Sequence, residues 1–459
     1  EMPPTEIPPG LDDDGLTEFL SATSQGMAYS ERRFTDAIDF LADGMSAVHE
    51  SRNRDRLALE LMVLSGLVSD VDALLGAAKA VSANADPNTR LLGLSATQLA
   101  EALTLTTASS WETQDAARDV LSNAEVADHL REQMAMARVM VTLAEGRLAE
   151  ARSSIREYPD KTLAGSWLTI EAVLAEAWLT IAGAEDVASA AVAALQQFDP
   201  LANLAQARIV LDLRRAQRGG PVGPGESSDH EPGVAVIDQI MNRRVEAWLA
   251  WAQGDPTAGK QMAEVGREAI GMGHRFWGLL ALIDAVRLGL GDDVALDIDH
   301  LVLTRGAGLA VLAGRHARAG TADELWNVAR SWWDAGAPVF ALEAAMRGGT
   351  VAGPIPSLGA HLMAAAGVEP LVGDLGDLPC PISARQLQIV GRVLGGDSNE
   401  DVAERLFLSR RTVENHLHRI YGVLGLSDGR DELKSLFGWI VAPSTHDPGD
   451  ALPSAGASE

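Results

Sequence analysis

The residues best suited to chemistry lie on one predicted helix close to the end of the chain. Four aliphatic residues recur at spacings of four, three and four positions, and they are Val413, Leu417, Ile420 and Leu424. This spacing places them on one face of an amphipathic helix. The opposite face carries Arg411, Asn415, His418 and Arg419, with Glu414 at its border. Asparagine reads adenine, and arginine reads guanine or holds phosphate, so this polar strip is suited to the major groove of DNA.

The start of the same helix is suited to hold phosphate. Ser409 is a natural N-cap, and Thr412 follows in the first helical turn. Hydroxyl groups at a helix N-terminus donate to phosphate oxygens, with help from the helix dipole. His416 and His418 are two positions apart and therefore point in different directions, so they do not predict a metal site.

Neighbouring helices must position the polar strip. A first helix opens with a capping box at Ser383 and Gln386, and a second opens with a similar pattern at Ser398. Their predicted inner faces are Leu387, Val390 and Leu394 in the first helix, and Val402, Ala403 and Leu406 in the second. A tight turn at Phe407 and Leu408 leads to the strip-bearing helix. With one further helix, residues 382–441 form a predicted four-helix unit.

The run from Ile382 to Leu426 resembles the LuxR-type helix-turn-helix domain. The matching positions are Ser398, Asn399, Val402, Ala403, Glu404, Arg405, Leu406, Ser409, Thr412, Val413, Asn415 and His416. The resemblance implies that Glu414, Asn415 and His418 face the bases. It also implies that Arg410, Arg411, Thr412 and Arg419 lie near phosphates. It further implies binding to double-stranded DNA as a homodimer through the last helix, whose apolar face is Leu433, Leu436, Phe437 and Ile440.

Three positions depart from the pattern of that family. Lysine is usual there where this chain has Glu414 and Val423, and glutamate is usual where it has Gln386. Each phosphate contact releases a counterion from the DNA. Losing one contact therefore lowers the affinity and its dependence on salt. The carboxylate of Glu414 either accepts from a cytosine amino group or repels the DNA backbone.

The region from residue 16 to 367 is predicted to be a tetratricopeptide-like helical-repeat array. Apolar residues recur there at three- and four-residue spacing. Turn glycines are expected at Gly146, Gly183, Gly219, Gly254 and Gly289, at intervals of 37, 36, 35 and 35 residues. A period near 35 residues is typical of stacked two-helix units that share a core. One such unit has a helix that ends near Gly146 and a second from Leu148 to Arg156.

The rest of the chain is predicted to connect or flank these two parts, and the fold class is all-α. Residues 1–15 form a flexible N-terminal segment, 219–233 a flexible insertion in the array, and 368–381 a linker. Residues 442–459 form a disordered tail. Nine of the ten tryptophans fall in the array, where they are expected to pack in the core. Trp332 and Trp333 are adjacent, so one of them is expected to point outward and mark a contact surface.

The overall charge argues against nucleic acid as a partner, but the local charge does not. The formal net charge is −27, which repels phosphate at long range. Between residues 405 and 419, however, the sequence contains four arginines and one glutamate, so the net charge of this stretch is 4 − 1 = +3. Exposed charges are screened beyond a Debye length of about 8 Å at physiological salt. We therefore expect weakened non-specific binding from the acidic array, not its loss.

Several functional classes find no support in the sequence. Cys380 is the only cysteine, which excludes an intrachain disulfide and suits a reducing cytoplasm. We find no secretory signal, no membrane-spanning run, no Cys/His cluster at metal spacing and no cofactor motif. Residues 254–260 fit G-x4-G-K, but Gln261 follows where a phosphate loop needs a hydroxyl. The sequence gives no reason to propose an enzyme.

The combined pattern predicts a cytoplasmic transcriptional regulator of bacterial type. The segment from Trp333 to Ala345 looks like the end of the helical region in large ATP-binding LuxR-type regulators, which are similar to the maltose-regulator group. No credible ATPase is found here, so the chain is either part of a longer regulator or a member lacking that domain. The array is expected to sense a small molecule or a protein. The alternative is a helical-repeat scaffold whose helix-turn-helix no longer binds DNA, for which Glu414 and Val423 are the evidence.

Overall fold

The computed structural model describes most of the chain. The described residues are 7–31, 33–68, 70–107, 110–123, 125–159, 161–199, 201, 203–222, 236–305 and 308–441. The predicted tail at 442–459, residues 1–6 of the predicted N-terminal segment and residues 223–233 of the predicted insertion lie outside these ranges. The remainder of the N-terminal segment is partly helical, because the first helix begins at Asp13 with its N-cap at Asp12.

The predicted all-α fold class is confirmed, since the regular structure of the described residues is helical throughout and contains no strand. The first group of α-helices is α1 Asp13–Gln25, α2 Phe34–Met45, α3 Ser51–Val68, α4 Val71–Val81, α5 Pro87–Leu103, α6 Ser110–Leu121, α7 Asp128–Ala144, α8 Leu148–Glu157, α9 Ala164–Leu174 and α10 Ile181–Gln197. The second group is α11 Leu204–Gln217, α12 Val236–Ala252, α13 Ala258–Gly271, α14 Arg275–Arg287, α15 Gly291–Arg305, α16 Gly308–Arg318, α17 Ala322–Ala335, α18 Pro338–Ala352 and α19 Pro354–Ala365. The last four helices are α20 Ala384–Leu394, α21 Asn399–Arg405, α22 Arg410–Leu424 and α23 Gly429–Val441.

Glycines with positive φ end several helices, as the repeat spacing predicts. Gly146, Gly219, Gly254 and Gly289 have φ between 66° and 94°, a region where a side chain is disfavoured. The predicted pair around the first of these is present, because α7 ends at Ala144 and α8 begins at Leu148. The prediction for Gly183 is wrong. It lies in the first turn of α10, where its N–H donates to Thr180 Oγ1 at 3.1 Å.

The described residues form two compact units. One contains residues 7–173 and 185–314, and the other contains Leu174–Ala184 together with the described residues from Arg315 onward. The second unit therefore joins α17, α18 and α19 to the four terminal helices.

A charged network lies in the core of the first unit. Asp284 on α14 accepts from Arg244 on α12 at 2.7 Å, from Arg287 at 3.1 Å and from the indole N–H of Trp248 at 3.1 Å. Its side chain and those of the two arginines are at most 2% exposed. A buried charge is tolerated only when it is paired and hydrogen-bonded. The network thus fixes how α12 and α14 pack.

The segment predicted as a linker, 368–381, is held against the preceding helices. The backbone N–H groups of Leu371 and Val372 donate to Glu343 Oε1 of α18 at 2.9 and 3.0 Å. Further along, Ser357 Oγ of α19 donates to the carbonyl of Pro379 at 2.6 Å. The side chain of Leu378 is buried. This connection is a packed part of the second unit.

The prediction that Trp332 or Trp333 points to solvent is wrong. Trp332 is fully buried, with its indole N–H donating to His316 Nδ1 at 3.3 Å. Trp333 is 8% exposed and packs against Trp439 of α23, with ring centroids 5.6 Å apart. The ring of Trp333 is instead covered by another part of the same chain.

The part of the chain that the structure describes contains no helix long and apolar enough to cross a membrane.

Candidate nucleic-acid interface

Three helices, α20, α21 and the strip-bearing α22, each begin at a serine N-cap. Ser383 accepts from the N–H of Gln386 and Ser398 from that of Asp401, and both complete the capping box that the sequence predicts. The Ser398 side chain and backbone donate to Asp401, which lowers the pKa of that carboxyl below its ordinary value. Ser409 accepts from the N–H of Thr412 at 3.1 Å. These caps fix where each of the three helices begins.

The aliphatic face of α22 is anchored as predicted. Its buried residues are Val413, Leu417, Ile420 and Leu424, each at most 5% exposed. The helix ends at Gly425, which has the left-handed φ of 70° that favours glycine. One side of α22 is therefore fixed in the bundle, which orients the opposite side.

The structure brings the predicted DNA-contacting residues together on one exposed surface. The exposed members are Ser409, Arg410, Arg411, Glu414, Asn415, His418 and Arg419, while Thr412 is half-buried. Several successive turns of one helix thus offer a mixed set of donors and acceptors to the solvent. A single α-helix of this kind fits the major groove of B-form DNA.

The inner face of α20 differs in part from the prediction. Val390 is buried as expected, but its buried companions are Ile389 and Val393, whereas Leu387 and Leu394 are only half-buried. The apolar residues of α20 cover a wide arc, and the bundle covers one side of that arc. Periodicity alone does not identify which edge of a wide apolar face remains at the surface.

Comparison with known families identifies the terminal helices. Residues 381–431 match the family of bacterial regulatory proteins known as the luxR family. They form a LuxR-type helix-turn-helix domain. The match covers α20, α21, α22 and the beginning of α23, and it confirms the resemblance expected from the sequence.

Relatives of the chain carry the same kind of name. A Mycobacterium tuberculosis protein whose name describes an HTH-type transcriptional regulator, Rv0890c, is 30% identical over 228 residues. That match covers 42% of this chain and 25% of the relative. A similarly named Mycobacterium bovis protein, Mb0914c, is 30% identical over 229 residues, with 42% of this chain and 26% of the relative covered. The matched part of the chain thus spans about a quarter of the length of these relatives.

A third match is shorter and has about the length of one small domain. The uncharacterized transcriptional regulatory protein YxjL of Bacillus subtilis is 43% identical over 44 residues, which is 10% of this chain and 20% of that protein. No solved structure matches the chain.

Ion pairs reduce the positive charge available on the LuxR-type domain. Arg410 donates to Glu414 at 2.9 Å, one helical turn further along, and Arg405 lies 3.5 Å from Asp397. Arg411 and Arg419 are exposed and form no ion pair with a described side chain within 4.0 Å. Two of the four arginines between 405 and 419 are therefore paired, so the local excess of charge is partly neutralised before any DNA binds.

The turn of the LuxR-type domain carries an exposed phenylalanine whose exposure the sequence did not reveal. Phe407 has φ of 53°, which is unusual for a residue with a side chain, and its ring is 96% exposed. Arg385 of α20 donates to the carbonyl of Leu406 and to Gln388 Oε1 and so braces the turn. The only signal in the sequence is the position of an aromatic residue between two capped helices.

Proposed function

We propose that this chain is a DNA-binding transcriptional regulator and that α22 is its recognition helix. The observation that carries the proposal is the exposed polar strip of α22 within a LuxR-type domain. Helices α17, α18 and α19, which form the end of the proposed tetratricopeptide-like array and share a compact unit with α22, leave the strip exposed.

The proposed roles follow from position along α22. Glu414, Asn415 and His418 lie in the middle of the strip and would face base edges, where asparagine pairs with adenine. Phosphate contacts would come from the N-terminal turn and from the flank, through Ser409, Arg410, Arg411, Thr412 and Arg419. The N-terminus of α22 adds the partial positive charge of the helix dipole to these contacts.

The array is proposed to carry the effector or protein partner that controls DNA binding. One open depression of about 430 Å³ lies between α16 and α17 and is lined by Arg315, Arg318, Glu324, Asn327 and Ser331, among others. A polar cavity of about 250 Å³ in the first unit includes Asp72, Lys79, Glu101 and Arg275. Both are candidate effector sites. Binding as a homodimer through α23 and action in the cytoplasm belong to the same proposal.

A scaffold without DNA affinity is the second candidate function, and the Arg410–Glu414 ion pair favours it. In this pair the guanidinium group of Arg410 is bound by the carboxylate of Glu414. Val423, which is 47% exposed, supplies no charge where LuxR-type domains usually have lysine. In this reading the array binds a protein partner, and the terminal domain is only a structural cap.

A mobility-shift titration with the full chain separates the two functions. Labelled fragments of the source genome are titrated at low and at moderate salt. A regulator shifts them, and its affinity falls steeply as salt rises, by about one power of the salt concentration for each phosphate contact. Absence of any shift at low salt contradicts the regulator and favours the scaffold.

Replacing Glu414 by lysine should strengthen DNA binding. The change frees Arg410 and adds a second cation to the strip, so we expect about a ten-fold higher affinity at low salt and a steeper salt dependence. The same titration measures both quantities. Glu404→Lys, which alters an exposed carboxylate of α21 by the same charge, is the control for a general gain of positive charge. An equal gain from both variants would contradict a specific role for Glu414.

A further inference from the structure

Helix α23 is packed against the end of the array by a cluster of aromatic rings. Trp326 of α17 lies 5.4 Å from the ring of Phe437 and 5.1 Å from that of Trp439, measured between centroids. Trp333, two helical turns further along α17, lies 5.6 Å from Trp439. The spacing of seven residues puts both array tryptophans on the same side of α17. They meet α23 with the tilted and edge-on geometries that aromatic pairs prefer.

The contact is close enough to exclude water. Phe437 is fully buried, and Trp326 and Trp333 are 7% and 8% exposed. Behind them, α19 approaches so closely that a Cβ atom on Gly359 would lie 2.1 Å from the ring of Trp326. We call the surface made by Trp326 and Trp333 the tryptophan surface. The close approach of α19 at Gly359 holds the ring of Trp326, which packs against the rings of α23.

The same contact leaves the recognition helix free. Arg411, Asn415 and His418 of α22 are exposed, whereas Phe437 on α23 has no exposed area. The end of the array that shares a compact unit with the terminal domain therefore covers α23 and leaves the polar strip exposed. Any influence of the array on DNA binding that uses this contact has to act through α23.

An uncovered α23 would present an aromatic patch to water. Trp439 is already half-buried, and its indole N–H donates to the carbonyl of Leu436 at 2.7 Å, so its polar atom is satisfied within the helix. Its ring is then available for apolar contact alone. Exposed apolar patches of this kind mark surfaces that bind a partner. A second copy of the same helix offers a matching patch across a two-fold axis.

We propose that the tryptophan surface is a docking surface for α23, and that α23 exchanges between it and α23 of a second copy of this chain. Docking within one chain keeps the protein monomeric, and release permits the dimer. The inference rests on the proposed function only for its consequence on DNA, since the exchange itself is a property of the protein alone. When α23 is free in only a fraction of the molecules, the apparent dimer affinity falls in proportion to that free fraction.

Trp333→Ala tests the exchange because it removes a ring from the array and leaves α22 and α23 unchanged. We expect the full-length variant to dimerise about ten-fold more strongly in sedimentation velocity without DNA. We also expect faster hydrogen exchange of the backbone amides of Gly429–Val441. The control is Trp111→Ala, because Trp111 is 60% exposed on α6 and lies in the first unit. It should change neither quantity.

Two further variants keep the test decisive if Trp333→Ala unfolds the end of the array. Trp333→Phe retains an aromatic ring and should give a smaller effect in the same direction. Trp439→Ala removes the ring that both partners use, so it should accelerate exchange in α23 without promoting the dimer. Faster exchange in α23 with no gain in dimer for either Trp333 variant would overturn the proposal, and so would unchanged exchange in α23.

The consequence for DNA is measured separately. A Trp333→Ala protein that dimerises more strongly but shifts no DNA would uphold the docking surface and contradict the regulator. A wild-type protein that shifts DNA, with a Trp333→Ala variant that is unchanged in both assays, would uphold the regulator and contradict the docking surface.

Discussion

The double substitution Arg411→Ala, Asn415→Ala is expected to reduce the affinity of the full chain for DNA about a hundred-fold or more. Loss of the base contact of Asn415 costs about 1–3 kcal/mol, and loss of the phosphate contact of Arg411 adds to it at low salt, so the two together correspond to roughly two orders of magnitude. Both side chains are exposed and lie opposite the buried face of α22, so the fold should be retained. A mobility-shift titration at fixed low salt measures the loss, and circular dichroism checks the fold.

A matched pair on another helix controls for that result. Gln114 and Arg118 on α6 have the same spacing of four residues and carry an amide and a guanidinium group. Their double substitution by alanine should leave DNA affinity unchanged, because α6 belongs to the first unit and not to the LuxR-type domain. Wild-type affinity in the α22 variant would exclude α22 as the recognition helix, whatever the array does.

The second large effect concerns stability. Asp284→Ala should lower the free energy of unfolding by about 3–5 kcal/mol, because it leaves Arg244 and Arg287 buried without their carboxylate. It also leaves the indole N–H of Trp248 without its acceptor. Denaturant unfolding followed by circular dichroism measures the change as a lower midpoint at unchanged slope.

An exposed ion pair provides the comparison for Asp284. Asp297 lies 2.9 Å from Arg267, and both side chains are 30% exposed or more. Asp297→Ala should cost less than about 1 kcal/mol, since solvent screens such a pair. Asp284→Asn should fall between the two, because it retains a hydrogen-bond acceptor and loses the charge. Similar midpoints for Asp284→Ala and Asp297→Ala would show that burial does not govern the strength of the network.

Local sequence rules predict the LuxR-type domain well because its structure is locally encoded. Ser383, Ser398 and Ser409 each act on a backbone N–H three residues away, and the stripe that contains Val413 and Leu417 needs only helical periodicity. The same rules predict the pair α7 and α8. They also predict the exposed polar strip, since it lies opposite that stripe.

The features that the sequence did not reveal depend on residues far apart in the chain. Asp284 meets Arg244 across 40 positions, and no local pattern shows that an aspartate and an arginine will share a core. Trp333 is covered by Trp439, which lies more than a hundred residues later. Gly183 is a local exception: it is not a turn, because Thr180, three residues earlier, caps α10 and allows the glycine to enter the helix. In each case tertiary packing or capping overrides what the residue type alone suggests.

The packed connection between α19 and α20 limits how far the terminal domain can travel. Residues 368–381 are fixed by hydrogen bonds to Glu343 and Ser357, so an undocked α23 remains tethered beside the surface it has left. Short tethers give local concentrations on the order of millimolar. A free second copy in the cell competes poorly against such a neighbour. Two adjacent operator half-sites, which bring two chains side by side, would remove this disadvantage, so assembly of the dimer is expected to occur on DNA and not before it.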